Sequence, residues 1–284
     1  AIEQLRGRLR PFVLRRLKAD VDPELPPITE VTLHCRLDKE QRQLYEKIRN
    51  TYRKRVLQIF DDDQSTTSSL GVLEALLRLR QACCDPALLP FPEARKVRSS
   101  AKMSRFLETL VQLLGEGRRI LVFSQWTKML GLIRTELDAL AIDYAYMDGS
   151  TRDRSKVVDS FQADDGPGVF LISLKAGGLG LNLTAADTVI HYDPWWNPAT
   201  EEQAADRAHR IGQTKPVLVV KLVVEDTVED AVLELQDRKR GLARSAIEAD
   251  VSGVKLLSRG DLLNIFGEGG AEELESGVDV QPAL

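Results

Sequence analysis

Between residues 203 and 215 the chain reads QAADRAHRIGQTK. On a helix, Gln203, Arg207 and Arg210 stand at i, i+4 and i+7 and share one face. Two guanidiniums aimed together suit a phosphate, which each can grip with a pair of parallel N–H donors. The same spacing fits two surface arginines paired with Asp206 or with Glu201 and Glu202. A second anion-type feature is SLKAGGLGLNL (173–183), which follows an apolar run. Gly177, Gly178 and Gly180 would let backbone amides approach a phosphate, although tight strand-to-helix packing asks for the same glycines. Leu183 stands where a dinucleotide fingerprint needs its third glycine, which argues against that class of enzyme. DPWWNP (193–198) puts Trp195 and Trp196 in a loop, to stack on a base or to lid the core. MDGST (147–151) is a turn whose Thr151 can cap the next helix. FSQW (123–126) ends an apolar run with a hydroxyl and an amide, able to meet a phosphate or merely finish a sheet.

These motifs need elements to hold them. Apolar runs at 119–124, 142–147, 169–174, 188–192 and 217–223 read as strands. They alternate with helical patterns at 101–114, 127–140, 151–163, about 198–210 and 227–249. Asn197 is the cap of the fourth helix and Pro198 its first residue, with Glu201 and Glu202 in its first turn. Apolar strands alternating with amphipathic helices predict an α/β fold, a parallel sheet covered on both faces. Ligands of such sheets sit beyond the carboxyl ends of the strands, which is where the motifs fall. Upstream, 2–20 reads as a basic helix, DPELPP (22–27) as a breaker, and 29–37 as a half-buried strand. Helices follow at 38–60 and 70–83, joined by the polar linker 61–69, and prolines 86, 90 and 92 mark a loop.

At 284 residues the chain is long enough for about two domains or one large one. Its net charge of -4 gives no global sign of nucleic acid, but the charge is uneven. Residues 1–60 hold 14 Lys and Arg against 8 Asp and Glu, and the other 224 hold 25 against 35. That fits a local anion-binding face or a solvated helix surface. No apolar run approaches a membrane span or a secretory signal. Cys35, Cys83 and Cys84 have neither a disulfide framework nor zinc spacing, which predicts a reduced, intracellular protein and no metal site. His34, His191 and His209 are scattered and read as structural. No glycine is followed by lysine, so there is no Walker A loop, and no strand ends in the acidic pair that organises magnesium. Residues 267–284 carry five acidic residues and no Lys or Arg, and are expected to be disordered.

ILVFSQW, MDGST, SLKAGGLGLNL, DPWWNP and QAADRAHRIGQTK occur in this order at consecutive strand ends. The string resembles the second RecA-like lobe of the Swi/Snf-type ATPases of helicase superfamily two, over nearly all of 101–250. FVLRRLKADVDPELPP looks like the family's segment between the lobes, VEDTVEDAVLELQDRKRGLA like the helix that packs back across them, and LSRGDLLNIFG like its closing segment. The resemblance implies four parts. Residues 1–100 are the linker and a helical protrusion of lobe two, and 101–249 the RecA-like lobe. Residues 250–266 are a closing brace segment and 267–284 the tail, and C-terminal packing helices complete the fold.

The family implies a DNA-dependent ATPase that moves along duplex DNA and shifts bound proteins. ATP with Mg2+ lies between two lobes, and the first lobe of the same protein supplies Walker A and the magnesium carboxylates. This chain alone is therefore expected to be inactive. Carried over by motif, Arg207 and Arg210 are arginine fingers assisted by Gln203, and Gly178 and Gly180 couple DNA contact to the ATP cleft. Ser124, Gln125, Asp148, Gly149, Thr151, Lys175 and Trp196 face the DNA backbone. The alternative is a non-hydrolysing DNA-binding regulatory module. The short linker leaves no room for large insertions, so a compact bacterial member is expected, DNA-associated in the cytoplasm or nucleoid; a eukaryotic one would be nuclear.

Overall fold

The computed structural model describes residues 25–61, 66–177 and 180–243, with Leu262, Ile265 and Phe266. The expected helix 2–20, most of the brace and the acidic tail lie outside the described residues, as does Gly178. Six strands form one sheet: β1 Ile28–Cys35, β2 Ile120–Ser124, β3 Tyr144–Met147, β4 Val169–Ser173, β5 Thr188–His191 and β6 Val217–Val224. Their order is β1-β6-β5-β2-β4-β3 and every pairing is parallel. All six carboxyl ends therefore meet at one edge. Among the described residues eight α-helices accompany the sheet: α1 Lys39–Asp61, α2 Thr66–Cys84, α3 Ala101–Gly115, α4 Thr127–Ala139, α5 Arg154–Gln162, α6 Leu174–Gly177, α7 Pro198–Ala205 and α8 Val228–Ala243.

The sheet is buried on both faces because alternate residues of each strand point opposite ways and both sets are apolar. Ile120, Val122, Val169 and Leu171 pack against Phe106 and Leu110 of α3 and Met129 and Ile133 of α4. Leu121, Phe123, Phe170 and Ile172 pack against Phe161 of α5, Ala176 of α6 and Ala204 of α7. A third core lies off the sheet, where Tyr45, Ile48 and Tyr52 of α1 meet Leu76 and Leu79 of α2 and Phe266. Each such aromatic or leucine side chain contributes about 1.5–3 kcal/mol by leaving water.

Two expectations need correction. Strand β1 was assigned to the segment preceding the lobe. It is instead the sheet's edge strand, paired from Ile28 with Val217 to Cys35 with Val224. Sequence distance hid this, because its partner lies almost 190 residues further on. The helix expected over 198–210 stops at Ala205. Beyond it the chain tightens into three-residue turns, with Arg207 N bonding Ala204 O and Ala208 N bonding Ala205 O. Gly212 then takes a φ of +101°, which suits glycine.

A buried ion pair ties the parts together. Lys102 Nζ, at the start of α3, lies 2.6 Å from both carboxylate oxygens of Glu229 and donates to Leu222 O at 3.3 Å. Glu229 also accepts from Val224 N at 2.8 Å, and Tyr45 OH from α1 accepts from Val228 N. Both ionic side chains are fully buried. Burial alone would lower the Lys102 pKa, but the charge of Glu229 outweighs it and raises the pKa, so the ammonium stays charged.

Candidate nucleotide and nucleic-acid interface

At the carboxyl edge, β2 and β5 are joined by a buried hydrogen bond from Ser124 Oγ to the Asp193 carboxylate. Gln125 N reaches the other Asp193 oxygen at 3.3 Å, and Trp126 N donates back to Ser124 Oγ. Ser124 is wholly buried, so the expectation that it faces DNA is corrected: its hydroxyl fastens the edge from inside. The neighbouring Gln125, Lys175 and Trp196 do come together, in a cleft of about 510 Å³ against the α2 helix. Lys175 is exposed there, whereas Trp196 is half-buried and also packs on the third core.

Arg80 of α2 shapes this edge and was not among the sequence candidates. It is 4% exposed. Its guanidinium donates to Gln125 Oε1 at 3.1 Å and Pro194 O at 2.6 Å. It also lies 5.6 Å and 5.2 Å from the rings of Trp195 and Trp196. Glu201 completes the support. Read from sequence as a dipole partner in the first turn of α7, it is buried instead and accepts from Trp195 N at 2.7 Å. Gln236 of α8 donates to both Trp195 O and Glu201. Lys221 pairs with Glu201 at 3.3 Å. Nothing in the spacing of residues 80, 201 and 236 signalled this convergence, because each lies on a different element.

The MDGST turn stands apart, after the edge strand β3. Asp148 accepts from Tyr146 OH, Ser150 N and Ser150 Oγ, and its own amide donates to Thr151 Oγ1. The Ser150 hydroxyl, followed by Tyr146, holds the Asp148 carboxyl below its usual range. Burial and that same bond push Tyr146 up to about 12. The expected contact of Asp148 with DNA is therefore corrected: an ionised carboxylate repels phosphate and here shapes the turn. Gly149 is exposed and Thr151 half-buried.

The arginine motif forms a third station. Gln203 is exposed on α7. Arg207 and Arg210 fall in the turns after it, so they do not share a helical face with Gln203 as expected. They are nevertheless close. Burial, and then the charge of Arg210, lower the pKa of Arg207. Arg210 donates to Gly180 O at 3.0 Å and Leu181 O at 3.4 Å, while Arg207 O accepts from Leu183 N. The arginine turns and the glycine loop are thus fastened to each other. Gln213, another residue the motif reading passed over, holds both: its amide donates to Thr184 O, Ala186 O and Ala208 O.

The glycines have steric reasons of their own. A Cβ at Gly177 would come within 2.6 Å of Phe123, and Gly180 has a φ of +64°. The cysteines are buried, and burial raises their thiol pKa values, so none is a ready nucleophile. Among the described residues no group of three His, Cys, Asp or Glu could hold a metal ion, and no helix is long and apolar enough to cross a membrane.

Residues 102–212 match the helicase conserved C-terminal domain, and residues 1–88 the SNF2-related domain. An uncharacterized ATP-dependent helicase of Mycoplasma genitalium is 33% identical over 268 residues, covering 94% of this chain and 25% of that protein. The ISWI chromatin-remodeling complex ATPase ISW1 of Saccharomyces cerevisiae is 35% identical over 298 residues, covering 99% and 26%. The chain thus spans about a quarter of the length of these curated relatives. The Sulfolobus solfataricus SWI2/SNF2 ATPase C-terminal domain is 30% identical with a TM-score of 0.66, covering 84% of this chain and 98% of that one. The ATPase core of the same source in complex with double-stranded DNA is 32% identical with a TM-score of 0.71, covering 94% and 56%. With its parallel sheet and its strand-end motifs in family order, the chain belongs to the Swi2/Snf2 family of superfamily-two helicase-like ATPases, as a RecA-like C-terminal lobe.

Proposed function

We propose that the chain is the second-lobe half of an ATP-driven translocase that moves along double-stranded DNA and remodels protein–DNA complexes. One observation carries this reading: the paired arginines are bonded to the glycine loop that follows β4. That loop begins at Lys175, in the cleft with Gln125 and Trp196. A change at either station therefore has a short covalent and hydrogen-bonded route to the other.

Burial, and then the charge of Arg210, lower the pKa of Arg207, and a phosphate's negative charge would relieve that repulsion between the two guanidiniums. ATP with Mg2+, held jointly with the first lobe, supplies the phosphoanhydride bond that drives the cycle. Arg207 and Arg210 stabilise charge on its γ-phosphate, with Gln203 assisting from α7. Fingers of this kind are worth roughly 10³–10⁵ in rate. Gly180, with Gly178, passes lobe closure to the DNA side. Gln125, Lys175, Trp196 and the Gly149–Thr151 turn contact the DNA backbone, which positions the duplex without reading sequence. Closing on ATP and opening after hydrolysis moves the grip in steps. The first lobe and DNA-bound proteins are the partners, so the protein works wherever the cell keeps its DNA.

The test is ATP turnover of the full-length protein with and without duplex DNA. Stimulation by duplex DNA, with none from the 284-residue chain alone, is the expected result. No turnover in either condition would replace this reading with a non-hydrolysing DNA-binding regulatory module.

A further inference from the structure

The cleft between α2 and the carboxyl edge has a composition that DNA-backbone contact does not require. The chain has 3 tryptophans, and Trp126, Trp195 and Trp196 all line it. Leu73, Leu76 and Leu77 of α2 form the opposite wall. At about 510 Å³ it has the size of a small-molecule site. The Thr200 hydroxyl also lines it, but the buried polar groups of the lining that lack a partner are all donors. Arg80 Nε, Gln125 Nε2 and Trp126 Nε1 are buried N–H groups that find no acceptor among the described residues. The hydrogen bonds of Arg80 go to an amide and a carbonyl oxygen, Glu229 acts on it through charge alone, and the nearby Asp193 is engaged by Ser124 and by Gln125 N. The bond from Arg80 to Gln125 Oε1 fixes the amide, so its donor end is the one left over. Lys175 adds an exposed ammonium at the mouth.

Flat aromatic walls with surplus donors and two cations ask for a flat, acceptor-bearing anion. We infer that this cleft is a binding site for a planar aromatic ligand carrying one acidic group, its ring among the tryptophans and its acid on Arg80 and Lys175. The ring supplies apolar burial, and the acid supplies the acceptors that the wall lacks. The inference concerns the cleft alone and does not depend on the arginine fingers or on translocation.

The test uses the 284-residue chain, labelled with ¹⁵N, whose tryptophan indole N–H signals all report from this cleft. The probe is 2-naphthoate, with neutral 2-naphthamide and non-aromatic cyclohexanecarboxylate as comparators. Saturable shifts of the indole signals are expected with 2-naphthoate. Both comparators should need at least about tenfold higher concentration, the scale of one charge-assisted hydrogen bond. Lys175→Ala, a change at an exposed site that leaves the fold alone, should weaken 2-naphthoate severalfold, and Arg80→Gln more. If Arg80→Gln fails to fold, the comparators and Lys175→Ala carry the test without it. Shifts that do not saturate, or an amide that binds as well as the acid, would overturn the inference and leave the cleft a packed joint.

Discussion

The loops on either side of α7 are built in opposite ways. Before it, the tryptophan loop is held from inside by side chains of several elements: Ser124 on Asp193, Arg80 on Pro194, and Glu201 with Gln236 on the Trp195 backbone. After it, the arginine turns are held by main-chain bonds and by Gln213, and Arg210 stands exposed beside Ile211, which is 67% exposed. A buried network of side-chain hydrogen bonds drawn from several elements holds one shape, because each partner removed leaves a costly orphan. The contrast separates a surface fastened from inside by side chains of several elements from one that presents a cation and an apolar side chain to solvent.

The sharpest way to break this contrast is at the exposed turn. Arg210→Ala in the full-length ATPase should lower DNA-stimulated turnover by about 10³-fold or more, with thermal unfolding of the protein little changed. Steady-state phosphate release decides it, and an undiminished rate would remove Arg210 from the reaction. On the rigid side the corresponding loss is of stability. Lys102→Met strands the Glu229 carboxylate beneath β6 and should cost about 3–5 kcal/mol in urea unfolding of this chain. A cost below about 1 kcal/mol would mean that the buried pair is not what holds α3 and α8 to the sheet.

A pH experiment probes the same side more gently. His191, stacked 5.9 Å from Phe123, is buried and neither ring nitrogen has a hydrogen-bond partner among the described residues. Burial lowers its pKa. The unfolded chain, with its His near 6.5, then binds the proton more readily than the folded one. The stability contributed is present above about pH 6.5 and is lost as pH falls below it, by at most about 1.4 kcal/mol per pH unit. His191→Phe should flatten that stretch of the stability–pH curve, and an identical slope in the variant would contradict it. The smallest effect is expected at Lys175 in the cleft. Lys175→Ala should reduce by about 1 the slope of log affinity for duplex DNA against log salt. An unaltered slope would mean that Lys175 touches no phosphate.

Much of the scaffold was legible because burial on both faces of a parallel sheet leaves a plain signature. ILVFS, VFLIS and TVIH are buried throughout and mostly apolar, and the helices between them carry their apolar residues at helical spacing. The grouping of candidate residues was legible where they are neighbours in sequence, as in DPWWNP and the Arg207–Arg210 pair. It was misread where a side chain's direction decides its role. Ser124 and Asp148 have the right chemistry for phosphate contact in a list of residues, yet one points into the core and the other into its own turn.

Sequence alone therefore determined the strand-and-helix alternation and the clustering of candidate chemistry at strand ends. These follow from local periodicity and from residue types at short spacing. Tertiary structure decided that β1 closes the sheet edge beside β6, that α7 ends before the arginines, and that Arg80, Glu201 and Gln236 converge on the tryptophan loop. Those outcomes depend on which distant groups can satisfy one another's hydrogen bonds and charges once buried, and a linear pattern does not carry that information.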